Sequence, residues 1–187
     1  MQRPFLRQVG PWEVGSSVGH PATLVLAANL SHAAIREALL LGRTALKMAS
    51  ALDPGVDLVA QEAAGSAAAV RVGGTLTTRA PGVDVNLTAT VTLPRNVSAA
   101  GLAAAMARAG RAPAAPGARL QLQFVRNNAV WHSALVAPAP GGAPVSVSIT
   151  VPAPAGGTDR WRAEIHDVGT EAAMRSLTNH IFISAAQ

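Results

Sequence analysis

Between Val83 and Leu93 the chain alternates without a break. Val83, Val85, Leu87, Ala89, Val91 and Leu93 share one face, and Asp84, Asn86, Thr88, Thr90 and Thr92 the other. Successive side chains on a strand point to opposite sides, so the segment has one dry face and one wet face. That pattern calls for an antiparallel sheet packed on one side, as in a sandwich. Val56 to Gln61, Ala69 to Val72, Arg119 to Arg126, Ala129 to Val136, Val145 to Val151, Arg160 to His166 and Ile181 to Ile183 also read as strands. Asn127-Asn128 supplies a two-residue hairpin turn between two of them, because Asn tolerates positive φ. The fold class expected is therefore mostly β: an antiparallel sandwich of about seven or eight strands over residues 51–187.

The first fifty residues obey a different rule. Residues 22–28 form a continuous apolar run bounded by His20-Pro21 and Asn29, which reads as a strand buried on both faces. A helix over 32–41 follows, with Ser31 at its N-cap, Ile35, Ala38 and Leu39 on one face, and Gly42 where a left-handed terminator belongs. One β-α unit cannot close an α/β domain. Val9 to Ser17 has room for a further strand, and residues 98–118 read as a helical or flexible insertion capped by Ser98, with Leu102 and Met106 as its large apolar anchors.

Composition removes several functions. Without cysteine there are no disulfides, thiolate nucleophiles or zinc–thiolate sites. The formal charge of +5 comes from fourteen Arg and one Lys, but these are scattered from Arg3 to Arg175 with no run and no aromatic interleaving. That distribution argues against nucleic acid as a partner. Arg in preference to Lys, with abundant Ala, Gly and Pro, fits a GC-rich, bacterial type of genome. Met1 to Pro11 lacks the apolar core of a signal peptide, and no stretch approaches the roughly 18 apolar residues of a membrane span, so no membrane association is expected and the compartment stays open.

Val14-Gly15-Ser16-Ser17, Val18-Gly19-His20-Pro21-Ala22-Thr23, Val72-Gly73-Gly74-Thr75-Leu76 and Trp161-Arg162-Ala163-Glu164-Ile165 are short motifs whose order resembles the C-terminal part of the polymerase-and-histidinol-phosphatase (PHP) metallohydrolases, in the carbaryl-hydrolase-like CehA/McbA branch. Val14-Gly15-Ser16-Ser17 is similar to the start of that family's last metal-ligand loop, and Val18-Gly19-His20-Pro21-Ala22-Thr23 to its end; the Asp-x-His expected between them is absent. Asn29-Leu30-Ser31, Ile35 and Gly42-Arg43 continue the likeness. In the second half it is carried by Val72-Gly73-Gly74-Thr75-Leu76, the Leu120 to Ala137 hairpin, Trp161-Arg162-Ala163-Glu164-Ile165, and Leu177-Thr178-Asn179 before Ile181-Phe182. His180 stands where the family pattern has Pro, which is expected to loosen the last turn. The likeness spans about residues 9–187.

The resemblance implies that residues 1–50 are a short β-α remnant of a PHP α/β barrel, set before the sandwich. It further implies the accessory portion of a metal-dependent phosphoesterase or carbamate/ester hydrolase, inactive alone because the ligands are missing. A divalent metal (Mn, Zn or Fe) is expected only in a complete relative, with no cofactor in this chain. Whether the chain is itself an enzyme is left open, as is whether it is a relic, a fragment or a natural subunit. The partner expected is a second copy or a barrel-bearing chain, held through residues 22–46, where an unpartnered strand and helix leave apolar surface exposed. The alternative is a non-enzymatic sandwich module that binds protein or carbohydrate.

No catalytic residue is assigned. Ser16, Ser17 and His20 are the candidates for a remnant substrate cleft; a serine nucleophile is disfavoured because Pro21 and a strand follow where a nucleophile elbow needs a helix. Glu164 and His166 share a strand face and are the weak metal candidates, although two ligands on one strand make a loose site and a solvated polar face is the plainer reading. The structural assignments are Ile35 and Leu39 docking the helix, Arg43 satisfying the helix C-terminus, Gly73 and Gly74 turning the chain, and Trp161 in the core.

Overall fold

The computed structural model describes residues 21–48, 53–64, 68–93, 119–137, 143–168 and 174–186. The chain order is β1 (Ala22–Val25), α1 (His32–Leu40), β2 (Thr44–Lys47), β3 (Gly55–Glu62), β4 (Val70–Arg71), β5 (Thr75–Thr78), β6 (Asp84–Thr92), β7 (Leu120–Arg126), β8 (Ala129–Val136), β9 (Val145–Pro152), β10 (Thr158–Asp167), β11 (Met174–Thr178) and β12 (Ile181–Ala185). The described residues thus hold twelve strands in a mostly β, sandwich-like fold. Strands β4-β3-β6-β9 make a four-stranded sheet, and the remaining eight make the other. The insertion expected at 98–118 and the strand expected at Val9 to Ser17 lie outside the described residues.

The alternating segment does what its pattern demands. Val85, Leu87, Ala89 and Val91 of β6 are fully buried and pack with Leu58 and Ala60 of β3. From the other sheet Leu122 and Phe124 of β7, Trp161, Ala163 and Ile165 of β10, and Ile181 and Ile183 of β12 meet them. The wet face of β6 carries hydroxyl pairs across to β9: Thr88 with Ser148 at 2.8 Å and Thr90 with Ser146 at 2.9 Å. Asn127 (φ 50°) and Asn128 (φ 71°) both occupy the left-handed region, as a tight β7–β8 hairpin requires.

Strand β10 organises the larger sheet. Along one edge it pairs with β7; along the other, β12 covers Thr158–Trp161 and β11 covers Glu164–His166. Strands β11 and β12 therefore form one interrupted line with a jog at Asn179-His180. At the jog the ladder is broken, and the buried Thr178 Oγ1 accepts a 3.0 Å hydrogen bond from the Ala163 amide in place of a backbone carbonyl. A buried amide left without such a partner costs about 1–3 kcal/mol, which explains a hydroxyl in the interior here.

The N-terminal elements differ from the sequence expectation. Strand β1 is not buried on both faces: Thr23 and Leu24 are exposed, and it pairs antiparallel with β2 at the end of the eight-stranded sheet. Strand β2 in turn pairs with β11, so this unit extends the sandwich sheet. The helix is capped as expected, with Ser31 Oγ accepting from the Ala34 amide at 3.2 Å. Its docking is not as expected. Ala38 is the only buried helical residue; Ile35 is half-buried and Leu39 exposed. The short helix presents its smallest side chain to the sheet, so its leucines stay outside.

The helix ends in a Schellman motif, with Arg43 N–H bonded to Ala38 C=O at 2.8 Å and Gly42 N–H to Leu39 C=O at 3.1 Å. Gly42 has φ 66°, as its terminator role needs. Arg43 satisfies the helix end with its backbone amide, and its guanidinium makes no hydrogen bond or ion pair among the described residues.

Candidate functional site

Three of the short sequence motifs meet at one corner. The helix terminus at Gly42-Arg43, the Gly73-Gly74 corner and the Asn179-His180 jog lie against each other. Gly73 N–H donates to His180 C=O at 2.8 Å, Asn179 N–H to Thr44 C=O at 2.8 Å, and Phe182 N–H to Gly74 C=O at 3.0 Å. The Gly73-Gly74 turn is closed by Gly74 N–H to Arg71 C=O at 2.9 Å, with Gly73 at φ 84°. It carries the chain from β4 in the smaller sheet to β5 in the larger. The His180 turn is held rather than loosened, since His180 also donates its amide to Asn179 Oδ1 at 2.8 Å.

From this corner a polar row runs along β10. Arg162, Glu164 and His166 share one face, with Trp161, Ala163 and Ile165 buried on the other. Glu164 is engaged at both oxygens: Arg162 Nε donates to Oε1 at 2.6 Å, and His166 Nε2 lies 2.9 Å from Oε2. Arg162 Nη1 reaches Asn128 Oδ1 at 3.0 Å and lies 3.4 Å from His180 Nε2. The hairpin turn, the β10 strand and the jog are thereby tied together by one guanidinium.

The expected solvated strand face is thus corrected: Glu164 is buried, because Arg162 and His166 flank it and occupy it. The geometry also bears on the metal candidates. Glu164 and His166 are brought together as their spacing predicts, but the carboxylate is already shared with Arg162. Among the described residues no group of three His, Cys, Asp or Glu side chains converges. Ser16, Ser17 and His20 lie outside the described residues.

Burial pushes the Glu164 carboxyl up, but the hydrogen bonds from His166 and Arg162 and the Arg162 charge outweigh it and hold the group below its ordinary value. His180 is held below the usual histidine range, first by burial and then by repulsion from Arg162 and Arg160. Both shifts make acid destabilising, in two stages. The folded chain holds a proton on His180 less tightly than the unfolded chain does. Stability is therefore complete above the ordinary histidine value of 6.5 and falls as pH drops from there toward the lowered native value. The contribution of Glu164 is present above 4.5 and is lost as pH falls through its depressed native value. Urea midpoints measured from pH 8 to pH 3 should show His180→Asn flattening only the upper limb. Glu164→Gln should lower stability at neutral pH and flatten the lower limb.

Sequence reasoning missed two other polar groups. At the hairpin Arg126 Nη2 pairs with Asp159 Oδ2 at 2.6 Å, and Asn127 Nδ2 donates to Asp159 Oδ1 at 2.8 Å. The same guanidinium lies 4.9 Å from the Trp131 ring centroid and 5.7 Å from that of Trp161. Between the sheets, buried Arg175 pairs with Asp167 at 2.6 Å and lies 3.8 Å from Asp53, beside buried Lys47, whose pKa burial lowers and Asp53 partly restores. Neither was signalled in the sequence, because Asp159 lies 33 positions from Arg126 and Asp167 lies 8 from Arg175.

Fold and site together define a mostly β, sandwich-like protein, antiparallel except where β5 pairs with β12, whose motif residues build a polar corner. No family model matches the chain, and no curated protein matches it. No helix among the described residues is long and apolar enough to cross a membrane.

Proposed function

We propose that this chain is an accessory β-sandwich that braces a metallohydrolase-type barrel, docking through the β1–α1–β2 end of its larger sheet. What supports the reading is the surface there. Leu30 is 94% exposed and Leu40 77%, with Leu24, Leu39 and Leu41 also exposed around one short, thinly docked helix. Strand β1 pairs on one side only, with β2, among the described residues. Exposed leucines concentrated at one sheet end mark an interaction surface rather than a solvated one. The ordered motifs of the sequence support the same assignment, because they build the corner that holds this end in place.

Without its partner the isolated chain covers these leucines by self-association. Burial of each leucine side chain contributes about 1.5–3 kcal/mol, so one substitution to Glu weakens the dimer by about tenfold or more. Sedimentation across a concentration series should show a dimer that Leu40→Glu shifts to monomer; a monomer at millimolar concentration would remove the reading. Hydrolysis of an aryl phosphate by the chain with added Mn²⁺, Zn²⁺ or Fe²⁺ should be undetectable, and turnover with bound metal would contradict the accessory role.

A second reading, a binding module using β8, is favoured by one observation. Among the described residues strand β8 pairs only with β7, and it exposes Val130, Trp131 and Leu135. Under that reading Trp131→Ala, and not Leu40→Glu, abolishes association with the partner.

A further inference from the structure

We propose that the cavity between the α1–β2 turn and the β4–β5 corner binds a small anion with an apolar body, such as an aryl phosphate or aryl carboxylate. The cavity has a volume of about 550 Å³, within the roughly 300–1,000 Å³ range of small-molecule pockets. Leu26, Ala27, Val70 and Val72 supply apolar wall, and Leu26 is anchored against the core, so the shape is set by the sandwich itself. Arg43 and Arg71 also line it, and no lining residue is acidic.

The two cations are available for a ligand. The Schellman motif consumes the Arg43 amide and leaves its guanidinium with no hydrogen bond or ion pair among the described residues, although the residue is half-buried. Arg71 has only a loose contact with Asp57, 3.7 Å away, and its side chain is 68% exposed. Exposed pairs of this kind contribute little, so a better acceptor displaces Asp57 readily. A half-buried guanidinium with no counter-charge among the described residues is electrostatically unfavourable there; an anion relieves it through charge-assisted, bidentate hydrogen bonds. The apolar walls favour a hydrocarbon body attached to that anion. The cavity wall includes none of the exposed leucines Leu39–Leu41.

The test is titration of the full chain with phenyl phosphate, inorganic phosphate and benzyl alcohol, followed by amide NMR shifts and calorimetry. Phenyl phosphate should bind saturably, shift the Leu26, Ala27, Gly74 and Thr75 amides, and weaken as salt is raised. Inorganic phosphate and benzyl alcohol should each bind at least about tenfold more weakly, since each lacks one half of the recognition. Arg43→Met should weaken phenyl phosphate by about tenfold or more with an unchanged thermal midpoint, because Met keeps the apolar stem and the guanidinium makes no hydrogen bond or ion pair among the described residues. Ala69→Trp, at an exposed wall position, should block binding without altering charge. Equal affinity for benzyl alcohol, undiminished binding to Arg43→Met, or no saturable phenyl phosphate binding would each overturn the assignment.

Discussion

Gly73→Ala should cost at least about 3 kcal/mol of stability, lowering the thermal midpoint by roughly 6–12 °C for a domain of this size. Two effects add. Gly73 has φ 84°, where an L side chain is strained. A methyl group there would also lie 2.1 Å from Leu41 O and 2.8 Å from Arg43 N, both backbone atoms that cannot swing aside. Relief requires the helix terminus to move off the corner, which breaks the Gly73-to-His180 hydrogen bond as well. Gly82 provides the control: its φ is 73°, but a methyl there meets nothing within 4 Å. Gly82→Ala should therefore show only the backbone cost, about 1–2 kcal/mol. Equal midpoints for the two variants, followed by circular dichroism, would mean that helix terminus and corner are not in contact.

Trp161→Ala should be of similar or larger effect, about 3–5 kcal/mol. Among the described residues Trp161 is the largest fully buried side chain, and it sits where β10 meets β7 and β12. Its ring also lies edge-on to Trp131, with centroids 5.9 Å apart, and under the Arg126 guanidinium. Truncation opens a cavity and removes one ring from the stack that steadies the Arg126–Asp159 pair, so hairpin and core are lost together. Trp161→Phe keeps an aromatic body and should recover about half of that loss. Urea unfolding resolves the series, and a loss below about 1 kcal/mol for Trp161→Ala would contradict the packing described.

The elements that were legible share one property: each is specified by neighbours in sequence. The β6 alternation, the paired positive-φ asparagines and the Ser31-to-Gly42 limits of the helix all follow from residues a few positions apart. Strands β2, β5 and β11 were missed because their interiors are not apolar. Lys47, Thr78, Arg175, Ser176 and Thr178 are buried, which blurs the period-two signal. Arg175 is tolerated inside because Asp167 and Asp53 reach it, and Thr178 because Ala163 needs an acceptor. In the polar row, spacing correctly put Glu164 and His166 on one face. Nothing near them in sequence indicated that Asn128 and His180 would arrive from two other turns to complete the chain through Arg162.

Local patterning alone fixed the mostly β character of this protein, its turns and the dry face of its sheets, because strand periodicity and left-handed turns are decided within a few residues. Tertiary structure decided which edges pair, including the parallel match of β5 with β12 across more than half the chain. It also decided that the β1–α1 leucines remain outside while, among the described residues, six charged side chains go in. Burying a charge is favourable only when its partner is present, and for Asp159 and Arg175 a partner comes from a distant part of the chain, Arg126 and Asp53.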